Sequence, residues 1–278
     1  MLKLCGYLLI IITISLLLVS CAPVSAPSTQ TDENAGATTL VVFAAASLTN
    51  VFEEIGATFR TAHPGVEIVF NFAGSNQLAT QIAEGAPADL FASANEAQMA
   101  VALESGRIHA DAQRTFAHNR LVIVLPADNP AGLTALDDLR QSGLKIVLAA
   151  ADVPVGRYAL DFLDRAEADS SLGAGYKEAV LANVVSYETN VRAVLSKVVL
   201  GEADAGIVYT SDAAVQSDQL QQIAIPDALN SIASYPIAPL ADSQQTELAQ
   251  QFVDFVLGPD GQTVLAAYGF APASGEEQ

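Results

Sequence analysis

From residue 39 onward the chain alternates short apolar runs with amphipathic stretches, and no other feature constrains its fold so strongly. "TLVVFAAA" has the length and β-branched content of a buried strand. "SLTNVFEEIGATFRTA" after it sets Leu48, Phe52, Ile55 and Phe59 on one helical face. "VEIVFNFAG" with "SNQLATQIAEG", then "ADLFASA" with "NEAQMAVALESG", repeat the pairing, and Gly106 closes the third helix. Three strand–helix units in succession predict a parallel sheet covered by helices. The strand "NRLVIVLPA" (119–127) interrupts the series at Pro126, and the same grammar then restarts. "LKIVLAA" is followed by the helix "VPVGRYALDFLDRA", with Pro154 placed as a first-turn proline. "NVVSYE" is followed by "TNVRAVLSKVVLGEA", whose Val191, Val194, Leu195 and Val198 face inward, and "DAGIVYTSDA" reads as a further strand.

Two such series predict two Rossmann-like α/β lobes. Residues 39–120 with 236–278 form the first and residues 121–235 the second. The chain crosses near 119–127 and again near 221–240, which gives a two-segment hinge. The last helix, "QQTELAQQFVDFVLG" with Leu248, Phe252, Phe255 and Val256 on its apolar face, packs back on the first lobe. Ligands of open α/β sheets lie at the carboxyl ends of the strands. Two lobes facing each other there would close on a ligand by hinge motion.

The N-terminus carries different information. Residues 1–20, "MLKLCGYLLIIITISLLLVS", combine Lys3 with an apolar core in the manner of a secretory signal peptide. "LLVSC" resembles a bacterial lipobox, in which Cys21 is lipidated and becomes the first mature residue. An uncleaved membrane helix is the other reading, but the apolar core is short for a span. Residues 21–38 are rich in Ala, Pro, Ser and Thr and read as a flexible tether after the lipidated Cys21. Cys5 and Cys21 are the only cysteines, so the mature domain is expected to hold no disulfide and no cysteine metal site. The expected location is extracytoplasmic, with the membrane touched only through the lipid anchor. With 12 Lys and Arg against 31 Asp and Glu, a net charge of −19 excludes a nucleic-acid partner, which needs a basic footprint.

Catalytic signatures are missing. The chain has no nucleophile elbow, zinc-protease helix motif, P-loop or dinucleotide fingerprint. His63 precedes Pro64 in a turn, His109 and His118 flank expected surface connections, and Asp137, Asp138, Glu53 and Glu54 read as solvated faces. What recurs is a strand, then a small or hydroxyl residue, then a helix start. Ser47 follows "FAAA", Ser75 follows "NFAG", Val155 follows Asp152-Val153-Pro154, and Val191 follows Thr189-Asn190. Helix starts carry unpaired N–H groups and partial positive charge. A serine there can merely cap its own helix, but four such starts, two per lobe, form a shell of neutral donors suited to an anion. The run Ala44-Ala45-Ala46 leaves the strand end bare for a small ion.

"VFAAASLTN", "FAGSNQLATQIAEGAPADLFASA", "VPVGRYA", "NVRAVLSKVVLGEADAGIVYTSDA" and the late "YGF" occur in that order. Over residues 39–271 the chain thereby resembles the molybdate-binding proteins of bacterial ABC transporters, which have the type II periplasmic-binding-protein fold. The resemblance implies that Ser47, Ser75, the backbone amides of Val155 and Val191, and the Tyr209 hydroxyl contact the oxygens of molybdate or tungstate. None of these is a direct ligand of the metal atom. It also implies delivery to an ABC permease, a monomeric protein, no cofactor and no enzymatic activity. Two departures stand out: Gly74-Ser75-Asn76 is less serine-rich than many relatives, and Val155 replaces an alanine. Arg157 is expected to point outward. Three rival readings remain: a sulfate or other tetrahedral-oxyanion receptor, a sensing domain without transport, and a hydrolase with Ser47 or Ser75 as nucleophile. The hydrolase would need a histidine within reach. Tight phosphate binding would require a proton acceptor, with Asp152 and Glu188 the first suspects.

Overall fold

The structure is a computed structural model and describes residues 38–273. The signal peptide, the tether and Cys21 lie outside the described residues. The first lobe begins with β1 (Thr38–Ala45), α1 (Thr49–Ala62), β2 (Val66–Ala73), α2 (Ser75–Ala83), β3 (Leu90–Ala92) and α3 (Glu96–Glu104). β1 lies between β2 and β3 and is parallel to both, as the strand–helix repeats predict. Its register on β2 is unbroken, so Ala45 and Ala73 end side by side, and the chain enters a helix just beyond each. Val51, Phe52, Ile55 and Phe59 of α1 are buried, contributing about 1.5–3 kcal/mol per large side chain.

β4 (Arg114–Pro126) carries the chain into the second lobe. It starts five residues earlier than the apolar run suggests, because Arg114, Thr115 and His118 interrupt the apolar pattern while the backbone there still pairs with β9. There follow β5 (Ile146–Ala149), α4 (Pro154–Ala168), α5 (Tyr176–Ala182), β6 (Val184–Glu188), α6 (Val191–Val199), β7 (Ala205–Tyr209), α7 (Thr210–Val215) and β8 (Leu220–Ala224). β5 is parallel to β6 and β7, whereas β7 runs antiparallel to β4. The chain returns through β9 (Ile232–Pro239), α8 (Thr246–Leu257), α9 (Pro259–Ala267) and β10 (Ala271–Pro272).

The strand order is β2-β1-β3-β9-β4-β7-β5-β6. β4 joins the halves: residues 114–120 pair with β9, and residues from Leu121 onward pair with β7 and β8. The two lobes thus meet at β4 and β9, the two strands that cross between them. Phe252 of α8 packs on Phe52 and Phe59, with ring centroids 6.0 and 5.2 Å away, so the C-terminal helix rests on the first lobe.

Further elements differ from the sequence reading. "YTSDA" does not extend β7. The chain turns at Tyr209 into α7, because Thr, Ser and Asp favour a helix's first turn over a strand. α5 and α9 had no counterpart in that reading. α9 has a start signal in Gly258-Pro259, with proline at the first helical position.

Candidate functional site

Five strand ends converge on one pocket. Ser47 lies in a single 3-10 turn, Ala46–Leu48, between β1 and α1, and is buried. Its hydroxyl caps no helix and lies 3.0 Å from the Tyr235 hydroxyl. Ser75 is the first residue of α2, and its Oγ accepts the Ala94 N–H at 3.0 Å. That leaves the Ser75 hydrogen free to be donated. The capping explanation therefore fails for both serines.

Val155 is the second residue of α4. Pro154 before it has no N–H, so the Val155 amide is the first donor of that turn. Gly156 fixes where the turn sits: a Cβ there would come within 2.1 Å of the Ala150 carbonyl and 2.5 Å of the Ala149 carbonyl. Only glycine lets α4 start so close to the end of β5. Val191 is the first residue of α6. The Asn190 side chain caps this helix at the Ala193 amide, 3.0 Å away, leaving the Val191 amide unclaimed by the cap. Tyr209 ends β7 and precedes α7. Its hydroxyl is buried without a hydrogen-bond partner among the described residues.

All five residues line a single cavity of about 10 Å³, narrowed by Ala45, Ala46, Ala73 and Ala94. This is below the roughly 300–1,000 Å³ of organic-ligand pockets and suits a small ion. No charged side chain is among its lining residues. Among the described residues, no group of three His, Cys, Asp or Glu could hold a bare metal ion. Burial, with Tyr235, Tyr158 and Asp212 nearby, raises the Tyr209 hydroxyl well above its ordinary range, so it remains a donor at neutral pH. Hydroxyls and first-turn amides with no competing carboxylate make a site for an anion that accepts on every oxygen.

The neighbouring charges are engaged elsewhere. Asp152 accepts from Asn76 Nδ2 at 2.7 Å. Glu188 takes Lys197 at 2.6 Å and the Ser186 hydroxyl at 2.7 Å. Burial raises its pKa, but these two partners outweigh that and hold the carboxyl below its usual range. Arg157 is mostly exposed and lies 3.7 Å from Asp161, directed outward as expected. His63 stacks on Phe59, His118 meets the Ser234 hydroxyl at 3.2 Å, and His109 is exposed. None of the three hydrogen-bonds to Ser47 or Ser75, so neither serine has a base.

Two supporting features escaped the sequence reading. Asp212 is fully buried, with Arg192 Nε at 2.7 Å. Burial pushes its pKa up to about 6, against the pull of Arg192 and the Tyr209 backbone N–H. The pair ties the start of α6 to the start of α7, hence Val191 to Tyr209. Asn119 of β4 also donates to the Ser211 hydroxyl at 2.7 Å and accepts from Thr210 at 2.9 Å, anchoring α7. No periodicity or motif announces these pairings. They depend on strands brought together from distant parts of the chain.

A two-lobed α/β fold with a small donor-lined pocket at converging strand ends defines a ligand-binding protein of the periplasmic type. The chain belongs to the bacterial extracellular solute-binding protein family, whose model matches residues 40–271. It is thus a solute-binding protein and not an enzyme. It is 39% identical to the molybdate-binding protein ModA of Mycobacterium tuberculosis over 91% of this chain and 92% of the relative. Among solved structures, the periplasmic molybdate-binding protein of Azotobacter vinelandii aligns with a TM-score of 0.72 at 19% identity, over 84% of this chain and 98% of that one. The sulfate-binding protein SubI of M. tuberculosis aligns with a TM-score of 0.76 at 20% identity, over 85% and 88%. These two structures share the fold. They do not by themselves select the anion.

Proposed function

We propose that this protein captures molybdate, and tungstate alike, between its lobes and presents it to an ABC permease. The observation that carries the reading is the Tyr209 hydroxyl, buried without a partner among the lining residues of the pocket. A buried hydroxyl without a partner costs roughly 1–3 kcal/mol, and an oxyanion in the pocket supplies the missing acceptor. Ser47, Ser75 and Tyr209 would donate through hydroxyls, and Val155 and Val191 through amides. The relative named for molybdate binding, at 39% identity over nearly its whole length, supports molybdate over sulfate, which is smaller and would leave some of these donors at poor distance.

The lobes in this reading are residues 39–120 with 236–278, and residues 121–235. They close as a monomer without a cofactor. Lipidation of Cys21 holds the protein at the outer side of a membrane through the tether. With a net charge of −19, the long-range field opposes an arriving dianion, so affinity rests on short-range hydrogen bonds of about 1.5–3 kcal/mol each. Calorimetric titration with molybdate, tungstate, sulfate and phosphate tests the reading. Molybdate and tungstate should bind similarly, sulfate far more weakly, and hydrogen phosphate weakest, since its proton finds no acceptor. Equal affinity for sulfate and molybdate would replace this reading by a general oxyanion receptor.

A further inference from the structure

We infer that Asn76, Gln98 and Asp152 form a clasp across the mouth of the cleft that sets how long the bound ion stays; the inference rests on the anion-binding reading above. Asn76 and Gln98 belong to the first lobe, Asp152 to the second. Asn76 Nδ2 donates to Asp152 Oδ2 at 2.7 Å, and Gln98 Nε2 donates to the Asp152 carbonyl at 3.1 Å. Both bonds therefore cross from lobe to lobe. None of the three side chains is among the residues lining the ion pocket, so the clasp lies outside the ion's shell.

Its placement couples it to the ion contacts. Asn76 follows Ser75 directly in α2, and Asp152 lies three residues before Val155. An opening motion that separates Ser75 from Val155 must break the Asn76–Asp152 bond. A second observation marks the closed position. A Cβ built on Gly74 would lie 2.5 Å from the Thr189 carbonyl of the opposite lobe. Gly74 has φ −59° and ψ 136°, a conformation open to any residue, so this glycine answers to the approach of the other lobe and not to backbone strain. The lobes rest backbone against backbone at Gly74 and Thr189, and at that separation the clasp is in hydrogen-bond range.

The clasp forms only when the lobes are closed, so it slows escape without assisting arrival.

The test is the rate at which preloaded radiolabelled molybdate leaves the full-length protein after a chase with excess unlabelled molybdate. Asp152→Ala and Asn76→Ala should each speed loss about three- to tenfold, the fold-change of one partly exposed hydrogen bond, with association within about twofold of wild type. The double variant should lose the ion no faster than the faster single variant, because both remove the same interaction. Asp152→Asn keeps an acceptor and should stay within about twofold of wild type. Ligand-free melting temperatures should not move, since the clasp forms across a cleft that opens. Loss rates unchanged in both alanine variants, or additive effects in the double variant, would overturn the clasp while leaving the anion site standing. A wild-type protein that takes up no molybdate, tungstate or sulfate would overturn the binding reading and the clasp with it.

Discussion

Replacing Tyr209 by Phe should have opposite consequences with and without ligand. The hydroxyl is buried and has no hydrogen-bond partner among the described residues, so its removal breaks none of their bonds. Leaving such a group unsatisfied costs roughly 1–3 kcal/mol, less when an opening cleft admits water. The ligand-free variant should therefore melt at the wild-type temperature or up to a few degrees above it, at about 2–4 °C per kcal/mol for a domain of this size. With molybdate present, one charge-assisted hydrogen bond is lost, about 1.5–3 kcal/mol, or roughly ten- to 150-fold in affinity. Tyr176→Phe provides the contrast. That hydroxyl donates to the Leu136 carbonyl at 2.7 Å, so its loss should lower stability by about 1 kcal/mol and leave affinity untouched. Differential scanning fluorimetry with calorimetry on both variants decides the matter. A Tyr209→Phe protein that is clearly destabilised without ligand, or that binds molybdate as tightly as wild type, would refute the assignment of this hydroxyl to the ion.

Other perturbations have equally definite outcomes. Ser47→Ala and Ser75→Ala should each weaken molybdate binding about ten- to a hundredfold in calorimetry, whereas Val155→Ala and Val191→Ala keep their amides and should stay within about threefold; equal losses would refute the main-chain contacts. Gly156→Ala should lower the melting temperature and impair binding together, because its Cβ would meet the Ala149 and Ala150 carbonyls and push α4 off the end of β5. Asp212, with its pKa raised from 3.8 to about 6, holds its proton more tightly folded than unfolded. Its contribution to stability is therefore full below pH 3.8 and is lost as the pH rises through 6. Between pH 7 and pH 5 the wild type should gain on the order of 1 kcal/mol relative to Asp212→Asn, read as a pH-dependent difference in melting temperature; a constant difference would show that Asp212 does not titrate there.

The backbone plan was largely legible in the sequence because each βα unit has a local signature. Phe52, Ile55 and Phe59 announce α1 by their spacing, and Pro154 marks the start of α4 where it occurs. The boundary that misled was the end of β7. Tyr209 looks like a strand residue, and its role in opening α7 is written in Thr210-Ser211-Asp212, which reads equally well as a strand's polar tail. α5 is short and starts from Gly175 at a positive φ of 85°, with too few turns to show a period. At the site, the five lining residues were visible because each sits at a strand-to-helix junction, a local feature that resemblance to a known family sharpened. The Arg192–Asp212 pair, the Ser47–Tyr235 contact and the Asn76–Asp152 bond were not visible. Each joins positions far apart in the chain, and neither propensity nor spacing carries information about such meetings.

One oxyanion is expected to sit where the five strand ends converge. This placement is tested most directly by a crystal structure of the molybdate-loaded protein with diffraction recorded at the molybdenum absorption edge. A single anomalous peak should appear in the pocket, with the ion's oxygens within hydrogen-bond distance of Ser47 Oγ, Ser75 Oγ, the Val155 and Val191 amides and Tyr209 Oη. A peak elsewhere, or a loaded pocket in which Tyr209 Oη still has no partner, would contradict this placement.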